Sequence, residues 1–215
     1  MTKIGIIGAT GTAGSAIFKE ALKRGHDVTA LVRNAAKAKE LLGEKINILE
    51  KEAFELTKAD LEQFDVIINA FGTAPETAYL HVDLAAKLVT LSRGSKKTRL
   101  FFILGAGSLL DEKGELFVET IRKAPHSEAF ISIPENQLKE LNFLRGVDNV
   151  DWVGVSPGAT FEAGEAKPVQ YGKDHIIFND QRESRLSSGT LANVILDEIE
   201  TPKHHQERFT AIDTE

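Results

Sequence analysis

The sequence of 215 residues contains no cysteine, one tryptophan, one methionine and two tyrosines. Without cysteine, disulfides, thiolate metal sites and cysteine nucleophiles are all excluded. The apolar runs are all of strand length, far short of the roughly 18 residues that a membrane span needs. No basic segment followed by an apolar one opens the chain, so no secretory signal is predicted. His204-His205 has no companion pattern of metal ligands. We therefore expect a cytoplasmic protein with no membrane segment and no metal.

The charges are mixed and mildly acidic, with a formal net charge of −6 at pH 7. Proteins that bind nucleic acid generally show a basic patch, so nucleic acid is not an expected partner. The length suits a single domain that spans residues 1–215. The sequence does not distinguish an interface from the buried face of a helix, so both a monomer and a homodimer stay open.

Short apolar runs alternate with helical patterns along the chain. This alternation predicts a Rossmann-like, doubly wound α/β fold, with a mainly parallel sheet and helices on both faces. Strands are predicted at Lys3–Gly8, Asp27–Val32, Ile46–Leu49, Asp65–Phe71, Thr98–Leu104, Val150–Ser156 and Arg208–Ile212. Helices are predicted at Thr12–Arg24, from a cap at Asn34 to Gly43, at Glu76–Arg93, at Pro134–Arg145 and from Ser187 or Ser188 to Ile199. The helical pattern lapses over about residues 157–185, which we predict to be a small substrate-recognition region of loops and short strands.

Three glycines at intervals of three residues follow the first predicted strand and open the first helix. In such a loop Gly8 permits the tight turn, Gly11 lets the backbone approach a pyrophosphate, and Gly14 lets the helix pack close to the strand. The pyrophosphate meets free amides and the positive end of the helix dipole. The predicted phosphate-binding residues are Gly8, Thr10, Gly11, Thr12, Ala13 and Gly14. The alternative is a glycine-rich turn that only lets a strand meet a helix.

The end of the second predicted strand bears on the choice of dinucleotide. NAD-selective sites often carry Asp or Glu there to bind the ribose 2′-hydroxyl, whereas this chain reads Leu31-Val32-Arg33-Asn34. A guanidinium at Arg33 matches the 2′-phosphate of NADP. NADP(H) is therefore the predicted cofactor, and NAD(H) is the alternative if Arg33 is an ordinary surface arginine.

Motifs spread over nearly the whole chain resemble those of one superfamily. They are Lys3–Gly11, Leu31–Arg33, Asn69–Gly72, Gly105–Leu109, Asp151–Gly158, Glu200–His204 and Arg208–Thr210. The chain resembles the atypical short-chain dehydrogenase/reductases, on the NmrA-like and NADH-flavin reductase branch that includes the biliverdin-IXβ reductase type. The first motif is common to a vast superfamily, and the Gly-Ala-Gly-Ser and Trp…Pro-Gly motifs are more specific.

The resemblance implies roles for the matching positions. Those implied to border the cofactor are Asn69, Ala70, Phe71 and Gly72 on the adenosine side and Gly105, Pro157 and Gly158 on the nicotinamide side. The alternative for each set is a plain turn after a strand. Ser108 is implied to bond the nicotinamide carboxamide or the substrate as a catalytic group, the alternative being a serine that caps a turn.

The Tyr-x-x-x-Lys pair of typical short-chain dehydrogenases is missing. Tyr79 is followed four residues later by Asp83, and Tyr171 by His175. In the dehydrogenases this tyrosine passes a proton to or from a carbonyl or alcohol oxygen. Alcohol dehydrogenation and sugar-nucleotide epimerisation are therefore disfavoured. His126 is a second candidate catalytic group, as a proton donor, and the alternative is an ordinary loop histidine.

Two hypotheses on function stay open. The first is an NAD(P)H-dependent reductase that passes a hydride to flavin, quinone or a similar planar acceptor, with flavin as substrate and not as prosthetic group. Such a transfer needs mainly that two rings be held face to face. The second is a non-catalytic, NADP-sensing regulatory protein of the NmrA type. The chain leaves little room for the partner-binding region of such a regulator, which favours the reductase.

Overall fold

The computed structural model describes residues 1–95 and 97–215. The strands are β1 (Lys3–Ile7), β2 (Asp27–Val32), β3 (Asn47–Glu50), β4 (Val66–Asn69), β5 (Arg99–Ile103), β6 (Trp152–Pro157), β7 (Thr160–Glu162), β8 (Val169–Gly172), β9 (Arg185–Ser187) and β10 (Glu207–Asp213). Eight of them form the main sheet in the order β3-β2-β1-β4-β5-β6-β10-β8, and β7 pairs with β9. Neighbours in the main sheet are parallel except β8, which runs antiparallel to β10.

The strand order reverses between β1 and β4. From β1 the chain proceeds to β2 and β3 on one side, and it then returns to β4, β5 and β6 on the other. In open parallel sheets ligands bind outside the carboxyl ends of the strands at such a reversal. The topology therefore places a ligand crevice above the ends of β1 and β4.

Helices cover both faces of the main sheet. They are α1 (Thr12–Lys23), α2 (Ala35–Leu42), α3 (Lys58–Leu61), α4 (Leu80–Ser92), α5 (Phe117–Arg122), α6 (Ser132–Arg145) and α7 (Ser188–Glu200). Asn34 caps α2 by accepting a hydrogen bond from the Lys37 amide, and Ser187 caps α7 by accepting one from the Thr190 amide. Within residues 1–95 and 97–215, no helix combines the length and the apolar character needed to cross a membrane.

The core consists of two apolar layers, one on each side of the main sheet. Alternate side chains of a strand point to opposite faces, so Ile68 of β4 joins the layer that contains α1 and α7, whereas Ile67 joins the layer that contains α4 and α6. Trp152 is fully buried in the second layer, where its indole N–H donates to the Val147 carbonyl oxygen at 3.1 Å. Burial on both faces explains the continuous apolar runs of the strands.

The predicted doubly wound fold is confirmed, and the seven predicted strands all lie in the main sheet. Two details of the prediction were wrong. The helix predicted from Glu76 begins at Leu80 after a 3-10 turn at Pro75–Thr77, and the helix predicted from Pro134 begins at Ser132. Within residues 157–185, predicted as loops and short strands, β8 joins the main sheet as its edge strand.

Candidate functional site

The turn between β1 and α1 requires glycine at two of its positions. Gly8 has φ +74°, and a Cβ there would lie 2.4 Å from the Ala70 carbonyl oxygen. A Cβ on Gly14 would lie 2.2 Å from the Gly8 carbonyl oxygen. Both contacts are with backbone, and L residues rarely adopt positive φ. Glycine at these positions therefore allows α1 to start close to the ends of β1 and β4.

The start of α1 offers free backbone amides. Gly11 is its N-cap, and no side chain caps this helix in the described parts of the chain. Gly11 and Thr12 are exposed, whereas Thr10 and Ala13 are half-buried. The first amides of a helix lack intrahelical acceptors and lie at the positive end of its dipole. This uncapped helix start therefore fits the pyrophosphate of a dinucleotide.

A carboxylate lies beside Arg33 at the end of β2. Arg33 itself is exposed. Val32 is paired with Glu50 of β3, and the Glu50 carboxylate accepts a hydrogen bond from the Ala35 amide at 2.8 Å, at the start of α2. Glu50 was missed because only the pairing of β2 with β3 brings it to this place. The end of β2 therefore carries an exposed arginine with a carboxylate close by.

The chain leaving β4 forms an aromatic corner. Asn69 is buried, and its side-chain oxygen accepts a hydrogen bond from the Phe71 amide at 3.3 Å. The Phe71 ring meets the rings of Phe54 and His81 edge to face, with centroid distances of 6.3 and 5.6 Å. Gly72 is exposed, and Ala70 is half-buried. Asn69 thus shapes the turn itself, and Phe71 presents an apolar surface beside the crevice.

A cavity of about 530 Å³ opens at the carboxyl ends of β5 and β6. Its wall is mainly apolar, and its polar side chains are Thr120 and Gln137. It is lined by Ile103, Leu104, Gly105, Ala106, Gly107, Phe117, Thr120, Ile121, Ala124, Phe130, Pro134, Gln137, Pro157, Gly158, Ala159 and Phe161. The predicted residues Gly105, Pro157 and Gly158 are thus brought together on its wall. A cavity of this size and character is typical of a site for a small organic molecule.

Only one wall of this cavity comes from the predicted substrate-recognition region. Residues 157–161 contribute that wall, while α5 and the start of α6 contribute another. The short α5 was missed, since its six residues carry too little periodicity to separate them from a loop. The wall of the cavity is therefore assembled from segments far apart in the sequence.

Glycines bring α6 against the loop that follows β5. A Cβ on Gly105 would lie 2.2 Å from the Gln137 side-chain oxygen, and one on Gly107 would lie 2.9 Å from the Pro134 Cβ. Pro134 and Gln137 are three residues apart, so they lie on the same face of α6. A side chain at Gly105 would displace the flexible end of Gln137, whereas one at Gly107 would press against Pro134 of the helix, so Gly107 allows the close approach of α6.

The two predicted catalytic side chains do not line this cavity. Ser108 is 2% exposed, and its hydroxyl donates to the Gly105 carbonyl oxygen at 3.0 Å. The His126 side chain is 92% exposed in a left-handed turn with φ 59°. The structure thus places neither side chain on the wall of this cavity.

Residues 130–137, around the start of α6, contribute apolar and amide groups to the cavity. Of the residues 130–137, the cavity wall receives Phe130, Pro134 and Gln137. The rings of Tyr79 and Tyr171 are each about half exposed and do not belong to this wall. No group of three His, Cys, Asp or Glu suited to a metal ion occurs among residues 1–95 and 97–215. The wall thus offers hydrogen-bonding groups without an ionisable side chain.

Comparison with known proteins agrees with this geometry. The model of the NAD(P)H-binding family matches residues 8–202. YwnB of Bacillus subtilis (strain 168), an uncharacterized protein, is 41% identical over 212 residues, which cover 98% of each chain. A crystal structure from Lactobacillus casei is 37% identical with a TM-score of 0.92, and the match covers 99% of this chain and 100% of that one.

A second crystal structure has a functional description. It is a Streptococcus pneumoniae TIGR4 protein provisionally described as an NADH-flavin reductase. It is 34% identical with a TM-score of 0.89, and the match covers 99% of this chain and 100% of that one. The chain therefore belongs to the NAD(P)H-binding family, on the atypical short-chain dehydrogenase/reductase branch that its motifs indicate.

Proposed function

We propose that this protein is an NAD(P)H-dependent reductase of a planar acceptor, a flavin or a quinone, which it binds as a substrate. The apolar cavity at the ends of β5 and β6, which has no ionisable side chain on its wall, carries the proposal. An enzyme that reduces a carbonyl to an alcohol generally uses a positioned proton donor. A flavin or quinone ring delocalises the negative charge that the hydride brings, and it can take its proton from water. A wall without a proton donor therefore suits such an acceptor better than a simple carbonyl.

The cavity supplies shape and a few polar contacts. When bound, the reduced nicotinamide supplies a hydride. Phe117, Phe130 and Phe161 offer apolar surface to a flat ring. Gln137 and Thr120 offer hydrogen bonds to its polar edge. Gly105, Pro157 and Gly158 contribute backbone and small apolar surface to the same wall. The protein thus acts mainly by holding the two rings in the right orientation.

We propose NADP(H) as the preferred cofactor on the basis of Arg33, with NAD(H) as the weaker alternative. An exposed guanidinium at the end of β2 suits a 2′-phosphate. The neighbouring Glu50 carboxylate would repel a phosphate. It also accepts the hydrogen bond of the Ala35 amide, which a phosphate could otherwise receive. The preference for NADP(H) is therefore expected to be modest.

Turnover measurements test both proposals. Purified protein is mixed with NADPH or NADH and with FMN, riboflavin or a simple quinone, and the loss of reduced-nicotinamide absorbance is followed against a protein-free control. We expect saturable, protein-dependent oxidation. Arg33→Ala should raise the KM for NADPH by about tenfold and leave that for NADH nearly unchanged, because a charge-assisted contact with phosphate is lost.

Lys37→Ala is the matched control, since it removes another exposed positive charge from the same end of α2. An equal effect of both variants on NADPH would show general electrostatics and not a contact by Arg33. Binding of NADP(H) by calorimetry with no oxidation of any acceptor would instead support the non-catalytic regulator.

A further inference from the structure

A buried arginine lies directly behind the wall of the acceptor cavity. Arg208 is on β10, and its side chain is 1% exposed. It does not line the cavity itself. Its place next to the end of β6 follows from the pairing of β10 with β6, in which Arg208 lies opposite Gly154. The guanidinium reaches Ser108 in the loop after β5, and the space that a Cβ on Gly154 would take is filled by Leu104, with the Arg208 Cβ 3.7 Å away.

Both terminal nitrogens of this guanidinium are engaged. Nη1 donates to the hydroxyl oxygens of Ser108 and Ser156 at 3.1 and 3.2 Å. Nη2 donates to the Ser108 carbonyl oxygen at 3.4 Å and to the Asp174 carboxylate at 3.1 Å. Five N–H donors in a planar fork suit such multiple contacts, which a single lysine ammonium cannot reproduce. One side chain therefore joins three separate segments.

Two of these segments are walls of the cavity. Ser108 directly follows Gly105–Gly107, and Ser156 directly precedes Pro157–Ala159, all of which line the cavity. The third segment is joined to the first by backbone as well, because the Leu110 amide donates to the Asp174 carbonyl oxygen at 2.8 Å. The guanidinium thus bridges the two walls from behind and sets the distance between them.

Stability alone is a poor reason for this arrangement. Removing a guanidinium from water is costly, and well-packed apolar replacements of buried ion pairs are often neutral or stabilising. The Asp174 partner is itself partly exposed, with a side-chain exposure of 43%. We therefore expect the contacts of Arg208 with Ser108 and Ser156 to contribute more to the geometry of the wall than to the stability of the fold.

We propose that Arg208 is a positioning residue for the acceptor, which holds the loop 105–108 and the segment 156–159 at the separation that a planar ring needs. This inference rests on the proposed reductase function. It also gives Ser108 a role in the clamp in place of direct contact with substrate. The clamped walls border only the nicotinamide end of the implied cofactor site, and the network leaves the phosphate loop untouched, so the acceptor should respond more strongly than the cofactor to its loss.

The test uses Arg208→Lys, which keeps the charge, and Ser156→Ala, which removes one acceptor and leaves the arginine in place. Arg145→Met is the matched control, because the Arg145 guanidinium also approaches Asp174, at 3.6 Å, from the exposed side. We expect Arg208→Lys to raise the acceptor KM by about tenfold and to change the NADPH KM by less than about twofold. Ser156→Ala should shift the same constant in the same direction by a smaller factor.

Hydrogen exchange provides a readout that does not depend on turnover. Arg208→Lys should speed the exchange of amides 105–110 and 156–159 and leave residues 8–14 unchanged, because only the walls lose their clamp. Equal effects on both KM values, a uniform rise in exchange, or an unchanged acceptor KM would overturn the proposal. If the wild-type protein shows no turnover at all, the reductase function fails, while the local rise in exchange still supports the clamp.

Discussion

Gly11 and Gly14 occupy the same turn but have different surroundings. The nearest heavy atom to a Cβ on Gly11 would be the Gly8 carbonyl oxygen at 3.4 Å, an ordinary contact. A Cβ on Gly14 would be 2.2 Å from that oxygen and 2.8 Å from the Ala9 Cα. Alanine therefore fits the free protein at Gly11 but not at Gly14.

We predict that Gly11→Ala leaves the free energy of unfolding within about 0.5 kcal/mol of the wild type and weakens dinucleotide binding by about tenfold, since the methyl group faces the pyrophosphate. Gly14→Ala should lower the free energy of unfolding by about 1–3 kcal/mol, because backbone must shift. Urea unfolding and calorimetric titration with NADPH measure the two effects. Equal stability losses in both variants would contradict the geometry of the turn.

At the scale of elements, α4 and α6 enclose a buried acid. The Glu140 side chain is 1% exposed, and neither carboxylate oxygen has a hydrogen-bond partner in the described residues. Its oxygen lies 3.8 Å from the His81 Nδ1 of α4. Burial raises the pKa of Glu140 well above its ordinary value, and burial lowers the pKa of His81. Both groups are therefore disposed to be neutral in the fold.

We predict that Glu140→Gln stabilises the protein at alkaline pH. As pH rises above the ordinary carboxyl pKa of 4.5, the unfolded chain ionises while the folded chain holds its proton, so wild-type stability falls until the raised pKa is reached. Glutamine has no proton to lose, so this pH dependence disappears in the variant. The free energy of unfolding of the variant minus that of the wild type should be greater at pH 8 than at pH 4 by about 1 kcal/mol or more. Urea unfolding at both values of pH measures the gain.

Asp83→Asn on the exposed side of α4 is the surface control, expected to change stability by less than about 0.5 kcal/mol. If Glu140→Gln changes the free energy of unfolding by the same amount at pH 8 and at pH 4, the Glu140 carboxyl group does not keep its proton in the folded protein.

At the scale of the whole molecule, the proposed cofactor site draws on loops from both halves of the sheet. The phosphate loop follows β1, Arg33 follows β2, and Asn69–Gly72 end β4, while the cavity lies beyond β5 and β6. A ligand that binds only when these loops are assembled stabilises the native state by mass action.

We predict that NADPH raises the Tm of the protein. At a hundred times the dissociation constant the gain is about 2.7 kcal/mol, and a domain of this length shifts by roughly 2–4 °C per kcal/mol. Tripolyphosphate, an anion without a nucleoside, is the control and should give a much smaller shift. A thermal melt that does not move with NADPH would count against the site as assembled here.

Sequence patterns predicted those elements whose cause is local. The Gly8, Gly11 and Gly14 spacing, the cap at Asn34 and the apolar runs each act through neighbouring residues, so the strands and the phosphate loop could be found without coordinates. The short helices α3 and α5 were not predicted, because segments of four and six residues show too little helical periodicity. Short strands were predicted near β8, but its place in the main sheet was not, because it depends on pairing with the distant strand β10.

The sequence by itself determined the Rossmann-like class, the cofactor family and the absence of a Tyr-x-x-x-Lys pair, because each depends on residue type at short spacing. Only the tertiary structure decided that Glu50 stands beside Arg33, that Ser108 is buried on Arg208, and that α5 and residues 157–161 share one cavity. These depend on strand pairing and on contacts between residues far apart in the chain. Secondary-structure propensity and residue spacing carry no information about such contacts, since the identity of a serine does not show whether its hydroxyl is buried or exposed.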